Sequence, residues 1–366
     1  MGGSNRFGEL GTPRVGMKRH FVLSTVLCCL CSVFVAVCAQ RDTGRTKTAA
    51  AAGPVLAIGD LTWQDIDALD RDRTLFLLTV GMLEEHGPHL PIAADTIGVE
   101  YEAGRVADRL SQALPGWQVV LMPTIHYGSS GANQIGNVAI HPGTYGVRQS
   151  TLRSLVADIG GQITQNRFKW IFVMNGHGAP SHHIAVNEAC DFVSEEFKAT
   201  MLNVSGLFSA DPAIQAQGEK IAAKYFSPAD LASFGSDPHA GVSETSGVLA
   251  IRPDLVRSSY RSLANYTVEN RQEMRDVASR PGWPGYFSAP ARANAAYGRD
   301  VEAWWVEGMA DLILRAVGGE NFFSRPRWPG PALNDPAYAP ILESALAPER
   351  EFDLKFERWL SERKKN

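Results

Sequence analysis

Cysteine is nearly missing from the part of this chain able to fold. Of five cysteines, four (Cys28, Cys29, Cys31 and Cys38) lie within the first 39 residues, leaving Cys190 alone. One thiol excludes an intramolecular disulfide framework. Val186, Cys190, Val193 and Phe197 recur at helical spacing, so Cys190 is expected to be buried apolar packing and not a nucleophile. Excess positive charge is also lacking: 35 Lys and Arg stand against 39 Asp and Glu, a net charge of −4. That leaves no basic footprint for nucleic acid. Long apolar runs are absent too. The best, Phe21 to Val37, falls short of the roughly 20 residues a spanning helix needs. No internal repeat occurs, and the one low-complexity tract is Ala49–Ala52.

What is present begins with an address. "MKRHFVLSTVLCCLCSVFVAVCAQ" has a basic start (Lys18, Arg19), an apolar stretch and small residues at Cys38 and Ala39. It reads as a signal peptide, residues 1–39, cleaved after about Ala39 and exporting the protein to a periplasm or the exterior. A retained anchor is the weaker reading, and lipid attachment at Cys38 is opposed by bulky Val37 before it. No stable membrane span is expected after processing. Residues 40–56, polar and then Ala-rich, read as a linker.

From residue 57 to 319 apolar strand-like runs alternate with helical patterns. "LFLLTV" (75–80), "WQVVLMP" (117–123), "KWIFVMNG" (169–176) and "ATMLNVSG" (199–206) are the strands; 96–113, 145–166 and 181–198 are the helices. This alternation predicts an α/β domain, a mainly parallel sheet with helices on both faces. Ligands in such folds bind beyond the carboxyl ends of the strands. Residues 320–366 differ: a proline-rich stretch, then an amphipathic helix from about Glu343 to Lys365, form an extension that packs on the domain or on a neighbouring subunit.

Three polar clusters sit where that crevice should open. In "EEHGPHLPIAAD", Glu84 and His86 project to the same side if the strand continues; Glu85 faces away, Gly87 and Pro88 turn the chain, and Asp95 returns. Such a carboxylate–imidazole set suits zinc or manganese; the plainer reading is a hydrogen-bonded turn with a buried ion pair. In "MNGHG", Gly176 and Gly178 let the backbone bring His177 close to a ligand, and Pro180 fits the first turn of the next helix. The plainer reading is a histidine satisfied by a carbonyl, with His182 and His183 in a supporting or surface role. In "HAGVSETS", Glu244 is a ligand or a base and His239 a proton shuttle, unless Ser243, Thr245 and Ser246 merely cap a helix. Together Glu84, His86, Asp95, His177 and Glu244 make five ligands, the number suited to two divalent ions sharing one carboxylate.

"VGMLEEHGPHLPIAAD", "VMNGHG" and "HAGVSETS" resemble the three signature segments of the creatininase family, creatinine amidohydrolase-like metal hydrolases. The resemblance spans about 60 to 318. It implies a three-layer α/β/α fold, a homohexamer and a pair of zinc or manganese ions. It also implies Glu84, His86, Asp95 (bridging), His177 and Glu244 as ligands, with His239 as catalytic histidine. Two positions depart from the family pattern. Ala179 stands where true creatininases have a carboxylate, and Glu85 where glutamine is common. The first shifts the second ion onto Glu244 and makes creatinine a doubtful substrate.

The reaction expected is metal-assisted hydrolysis of a C–N bond in a small amide, cyclic ones included, with His239 protonating the leaving nitrogen. A lactone or cyclic-ketone hydrolase is the runner-up. An exported metal- or solute-binding protein without turnover is the non-enzymatic alternative. Residues 126–144 and 280–298 are expected to wall the pocket, the second segment being mobile, with Trp283 and Tyr286 stacking on a planar substrate.

Overall fold

The run TLFLLTV offers no polar face to water, and every residue of it is buried as strand β2 (Thr74–Val80). A strand apolar on both sides belongs inside a parallel sheet covered twice. The computed structural model of the protein, which describes residues 52–136 and 141–364, has that arrangement. Strands β1 (Val55–Ala57), β2, β3 (Gln118–Leu121), β4 (Trp170–Asn175) and β5 (Thr200–Asn203) pair in parallel in the order β1-β3-β2-β4-β5. Leu75 lies opposite Val119 on one side and Trp170 on the other.

The first helices are α1 (Trp63–Asp67), α2 (Ala94–Ala113), α3 (Gln149–Gln165) and α4 (Pro180–Phe197). There follow α5 (Val204–Ala210), α6 (Pro212–Tyr225), α7 (Pro228–Phe234) and α8 (Val242–Ile251). The last are α9 (Arg271–Ala278), α10 (Ala295–Val317) and α11 (Tyr338–Arg363). Side chains of a strand alternate between faces, and β2 uses both. Leu75 and Leu77 pack with Val106 and Leu110 of α2, Phe208 of α5 and Ile313 of α10. Phe76 and Leu78 pack with Val156 of α3 and with Val186 and Val193 of α4. The result is the three-layer α/β/α architecture, with each buried aliphatic or Phe side chain contributing about 1.5–3 kcal/mol. Cys190 lies buried in the second layer, while Phe197 at the helix end is exposed.

Several boundaries differ from expectation. The "ATMLNVSG" strand stops at Asn203, because the Asn203 side chain accepts from the Gly206 N–H and starts α5 instead. The domain starts before residue 57: Val55–Ala57 pair with β3, and Gly53 N donates to Ser111 O, so the end of the supposed linker is sheet. The signal segment 1–39 and the rest of that linker lie outside the described residues. Among the described residues no helix is long and apolar enough to cross a membrane. The C-terminal helix begins at Tyr338, five residues earlier than predicted, and its first turns bury Tyr338, Ile341, Ser344 and Ala345.

Register then sets the site. Val80 of β2 is level with Asn175 of β4, so the loops leaving both strands start side by side at the carboxyl edge of the sheet.

Candidate metal centre

The loop after β2 carries Glu84 and His86 and turns at Gly87, whose φ of 63° favours glycine. Glu84 N donates to Ile92 O at 2.8 Å, closing the loop and delivering Asp95 to the first turn of α2. The exit of β4 lies hard against that turn. A Cβ on Gly176 would sit 2.3 Å from the Asp95 carbonyl oxygen, so only glycine permits the approach that places His177. Glu244 occupies the first turn of α8. Asp95 and Glu244 thus both sit where a helix macrodipole favours an anion.

All five predicted ligands meet. His177 Nδ1 lies 2.9 Å from Glu84 Oε2 and 3.0 Å from Asp95 Oδ2. His86 Nε2 lies 3.1 Å from Asp95 Oδ1 and 3.6 Å from Glu244 Oε2. Asp95 therefore turns one oxygen toward each imidazole. Two overlapping triads result, Glu84–Asp95–His177 and His86–Asp95–Glu244, each with donor atoms within 4.8 Å of one another. His239 joins Glu84 and His86 in a third group within the same limit, its Nδ1 3.9 Å from Glu84 Oε1.

Backbone contacts fix the tautomers. His86 Nδ1 is 3.0 Å from Glu84 O, and His239 Nε2 is 2.8 Å from Glu85 O. A carbonyl only accepts, so each of these nitrogens carries the proton and the other ring nitrogen of each is left to face the carboxylates. Histidines held in this way are typical of metal ligands. The Ala132 N–H likewise orients Glu84 through Oε1. Glu84 Oε2, His86 Nε2 and Asp95 Oδ2 are buried without a hydrogen-bond partner. No lysine or arginine pairs with the three carboxylates among the described residues; the only basic side chains facing them are imidazoles.

The protonation equilibria reflect this. Burial would lower His177, but Glu84 and Asp95 outweigh it and lift it to about 10. Burial likewise opposes a proton on His86, yet Asp95 and Glu244 raise it well above the ordinary imidazole value. Burial alone would raise Asp95, whereas the two imidazoles hold it well below the carboxylate range. His239 is pushed down to about 4 by burial and stays neutral. Burial moves Glu244 up to about 7, although its side chain, 41% exposed, reaches the crevice and solvent moderates the effect.

Above the cluster lies a cavity of about 560 Å³, lined in part by Glu84, Asp95, His177, His239 and Glu244. The 126–144 segment contributes Ser130, Gly131, Ala132 and Ile135 to it, its residues 137–140 lying outside the described ones. Residues 280–298 contribute nothing. Trp283 and Tyr286, expected to stack on substrate, are each only 2% exposed and do not line the cavity. The Trp283 indole N–H donates to Tyr286 O and the Tyr286 hydroxyl to Ala264 O, so both are satisfied inside the core. His182 and His183 are buried as well: His182 Nδ1 accepts from Ser129 N, and His183 Nε2 lies 3.0 Å from Asn175 Nδ2. Glu85 does turn away from the cluster, accepting from Gly87 N at 3.1 Å.

Sequence reasoning missed the actual outer walls, which come from Val268–Met274 and from Trp328, Tyr338 and Ile341 of the extension. Asp237 was missed too; half-buried beside α8, it accepts from Ser243 N at 2.7 Å. Its place in the "DPHAGVSETS" segment was the available signal.

Comparison with known proteins agrees with this geometry. The creatininase (creatinine amidohydrolase) family model matches residues 59–313. The chain belongs to the creatininase family. Creatinine amidohydrolase of Pseudomonas putida is 29% identical over 266 residues, 70% of this chain and 95% of the relative. A mycofactocin precursor peptide peptidase of Mycobacterium ulcerans (strain Agy99) is 29% identical over 275 residues, 73% and 95% of the two chains. A solved structure, creatininase Mn, superposes with a TM-score of 0.54 at 26% identity, covering 72% of this chain and 99% of that one. The C-terminal extension lies beyond the residues that the family model matches.

Proposed function

We propose that this creatininase-family hydrolase uses two divalent ions to hydrolyse a C–N amide bond. The observation that carries the reading is Asp95, buried, with one oxygen toward His86 and the other toward His177. Glu84, Asp95 and His177 would hold one ion; His86, Asp95 and Glu244 would hold the other. The mixed imidazole–carboxylate donors suit zinc or manganese, and manganese is named in a related creatininase structure. The unpartnered buried atoms of the cluster and its surplus of carboxylates fit cations better than empty space. Bound ions supply Lewis acidity toward a carbonyl and lower the pKa of water.

The chain's own groups supply the proton handling. Glu244 is pinned by the Ala240 N–H and reaches the cavity, where its carboxylate can orient water. His239 has its Nε2–H committed to Glu85 O, so Nδ1 is an acceptor in the resting state. That suits the shuttle role expected of it: Nδ1 takes the proton given up by the attacking water and passes it to the departing nitrogen. Ala179 lines the cavity and offers no carboxylate, which argues against creatinine itself as substrate. The relatives' names, one a creatinine amidohydrolase and one a peptide peptidase, both point to amide bonds. The signal-like N-terminus supports an exported enzyme, and family resemblance a hexamer; N-terminal sequencing of secreted material and sedimentation test these.

Elemental analysis of the purified protein, followed by a screen of small amides, lactams and imides with and without chelator, tests the central reading. Near two ions per chain and turnover restored by zinc or manganese are expected. Full turnover in chelator, or hydrolysis of lactones but no amide, would overturn it.

A further inference from the structure

The far side of the cavity is completed by residues outside the family match. Trp328, Tyr338 and Ile341 of the extension face the space above His177 and Glu84. They are firmly held there. Arg327 makes a forked ion pair with Asp191 of α4 at 2.8 and 2.7 Å, a geometry with positional precision. Asn187 donates to Trp328 O at 2.8 Å, and the Trp328 backbone N–H donates to Gly206 O at 2.8 Å. The Trp328 indole N–H donates to Gly178 O at 3.1 Å, one residue from His177. On the other side Arg271 of α9 pairs with Asp335 at 2.6 Å and lies 3.7 Å over the Tyr338 ring. Ile135, Val268 and Met274 line the same space.

The chemistry of this compartment is uneven: carboxylates and imidazoles at the floor, and above them a mainly aliphatic and aromatic wall interrupted by Glu269, Asn270 and Arg271. At about 560 Å³ it is sized for a drug-like ligand, since such pockets run from about 300 to 1,000 Å³. An amide of a few heavy atoms would leave most of that apolar wall against water. A substrate with an apolar group beside its amide would bury it.

We propose that the 328–341 segment is the substrate-selecting wall of the site. Its Trp328, Tyr338 and Ile341, with Ile135, Val268 and Met274, hold an apolar, preferentially aromatic group attached next to the scissile amide. The proposal rests on the amide-hydrolase reading for the bond that is cut, but the compartment's preference is measurable without turnover. Burying one phenyl ring here gives an expected preference of about 10- to 100-fold.

The test compares 3-phenylpropanamide with propanamide on the full-length protein. Affinity is read by calorimetry in chelator, and kcat/KM in zinc or manganese. The wild type is expected to favour the aromatic amide by about 10- to 100-fold in both readouts. Ile341→Trp, which fills the compartment, should bring the ratio toward one, and Ile341→Leu should retain most of it. Trp328→Ala should lower the ratio chiefly through KM. Equal binding of the two amides by the wild type overturns the proposal, as does a ratio unmoved by Ile341→Trp. Preferential binding of the aromatic amide without hydrolysis of either overturns the hydrolase reading and leaves the selecting wall standing.

Discussion

Asparagine at position 95 changes charge with almost no change of shape, and Asp95 is the one residue common to the Glu84–Asp95–His177 and His86–Asp95–Glu244 triads. Asp95→Asn leaves each triad one carboxylate and one imidazole, whereas catalytic zinc sites use three protein ligands. Loss of an outer-shell partner alone typically weakens metal binding by about 10- to 100-fold. A shared ligand should therefore matter by at least about 100-fold at each position, or roughly 2.7 kcal/mol. An ion that binds only the folded chain adds about 2.7 kcal/mol of stability at 100 times its Kd. At the same ion concentration the variant would keep about 0.4 kcal/mol per site. With about 2–4 °C per kcal/mol for a domain of some 150–250 residues, an ion-induced rise of about 5–10 °C per site shrinks to about 1 °C. The lost anion in the first turn of α2 costs a further 0.3–1 kcal/mol or so. That cost is present with or without ions and cancels in the difference. Thermal melts in zinc or manganese buffer against chelator, with elemental analysis of the same samples, measure both quantities. Wild-type ion content together with a wild-type ion-induced shift in Asp95→Asn would refute the shared-ligand geometry.

Three further outcomes are expected. His239→Ala should retain its ions, because both triads built on Asp95 are complete without His239, while turnover falls by about 100-fold or more; ion loss in that variant would make His239 a ligand. Burial raises both Glu102 and Glu302, Glu302 to about 7, and Glu302 Oε2 has no partner. The folded chain therefore holds a proton that the unfolded chain releases near 4.5, so stability is lost as pH rises from there through about 7. Glu302→Gln should gain on the wild type across that window, by at most about 3 kcal/mol above it; a pH-independent difference in denaturant melts would contradict this. Trp283→Ala should cost about 3–5 kcal/mol of stability without a selective rise in KM, whereas a raised KM at unchanged stability would restore its stacking role.

The convergence of the five carboxylate and imidazole residues was legible because it obeys local rules. Glu84, His86 and His177 directly follow apolar strands that could only be buried, and an α/β sheet opens its crevice at those strand ends. Asp95 and Glu244 open helices, another local signal. Of the walls, only the 126–144 segment was legible. Residues 280–298 and 328–341 are both rich in proline and aromatic residues, and composition makes either one a loop able to cover a pocket. Trp283 satisfies its indole N–H on Tyr286 O and sinks into the core, while Trp328 satisfies its own on Gly178 O and borders the cavity. The choice depends on which backbone carbonyl lies within reach after folding. His182 and His183 show the same limit, since burial on α4 follows from what packs over that helix face.

By itself the amino-acid order determined the parallel sheet, its two apolar faces and the identity of the carboxylates and imidazoles that meet at the site. Strand periodicity and strand-end polarity are properties of neighbouring residues. Only the tertiary structure decided that Asp95 divides its oxygens between two imidazoles, that His239 faces the cluster through Nδ1, and that the C-terminal extension closes the cavity. Those are relations between segments far apart along the chain, set by packing and by where each buried donor finds its acceptor.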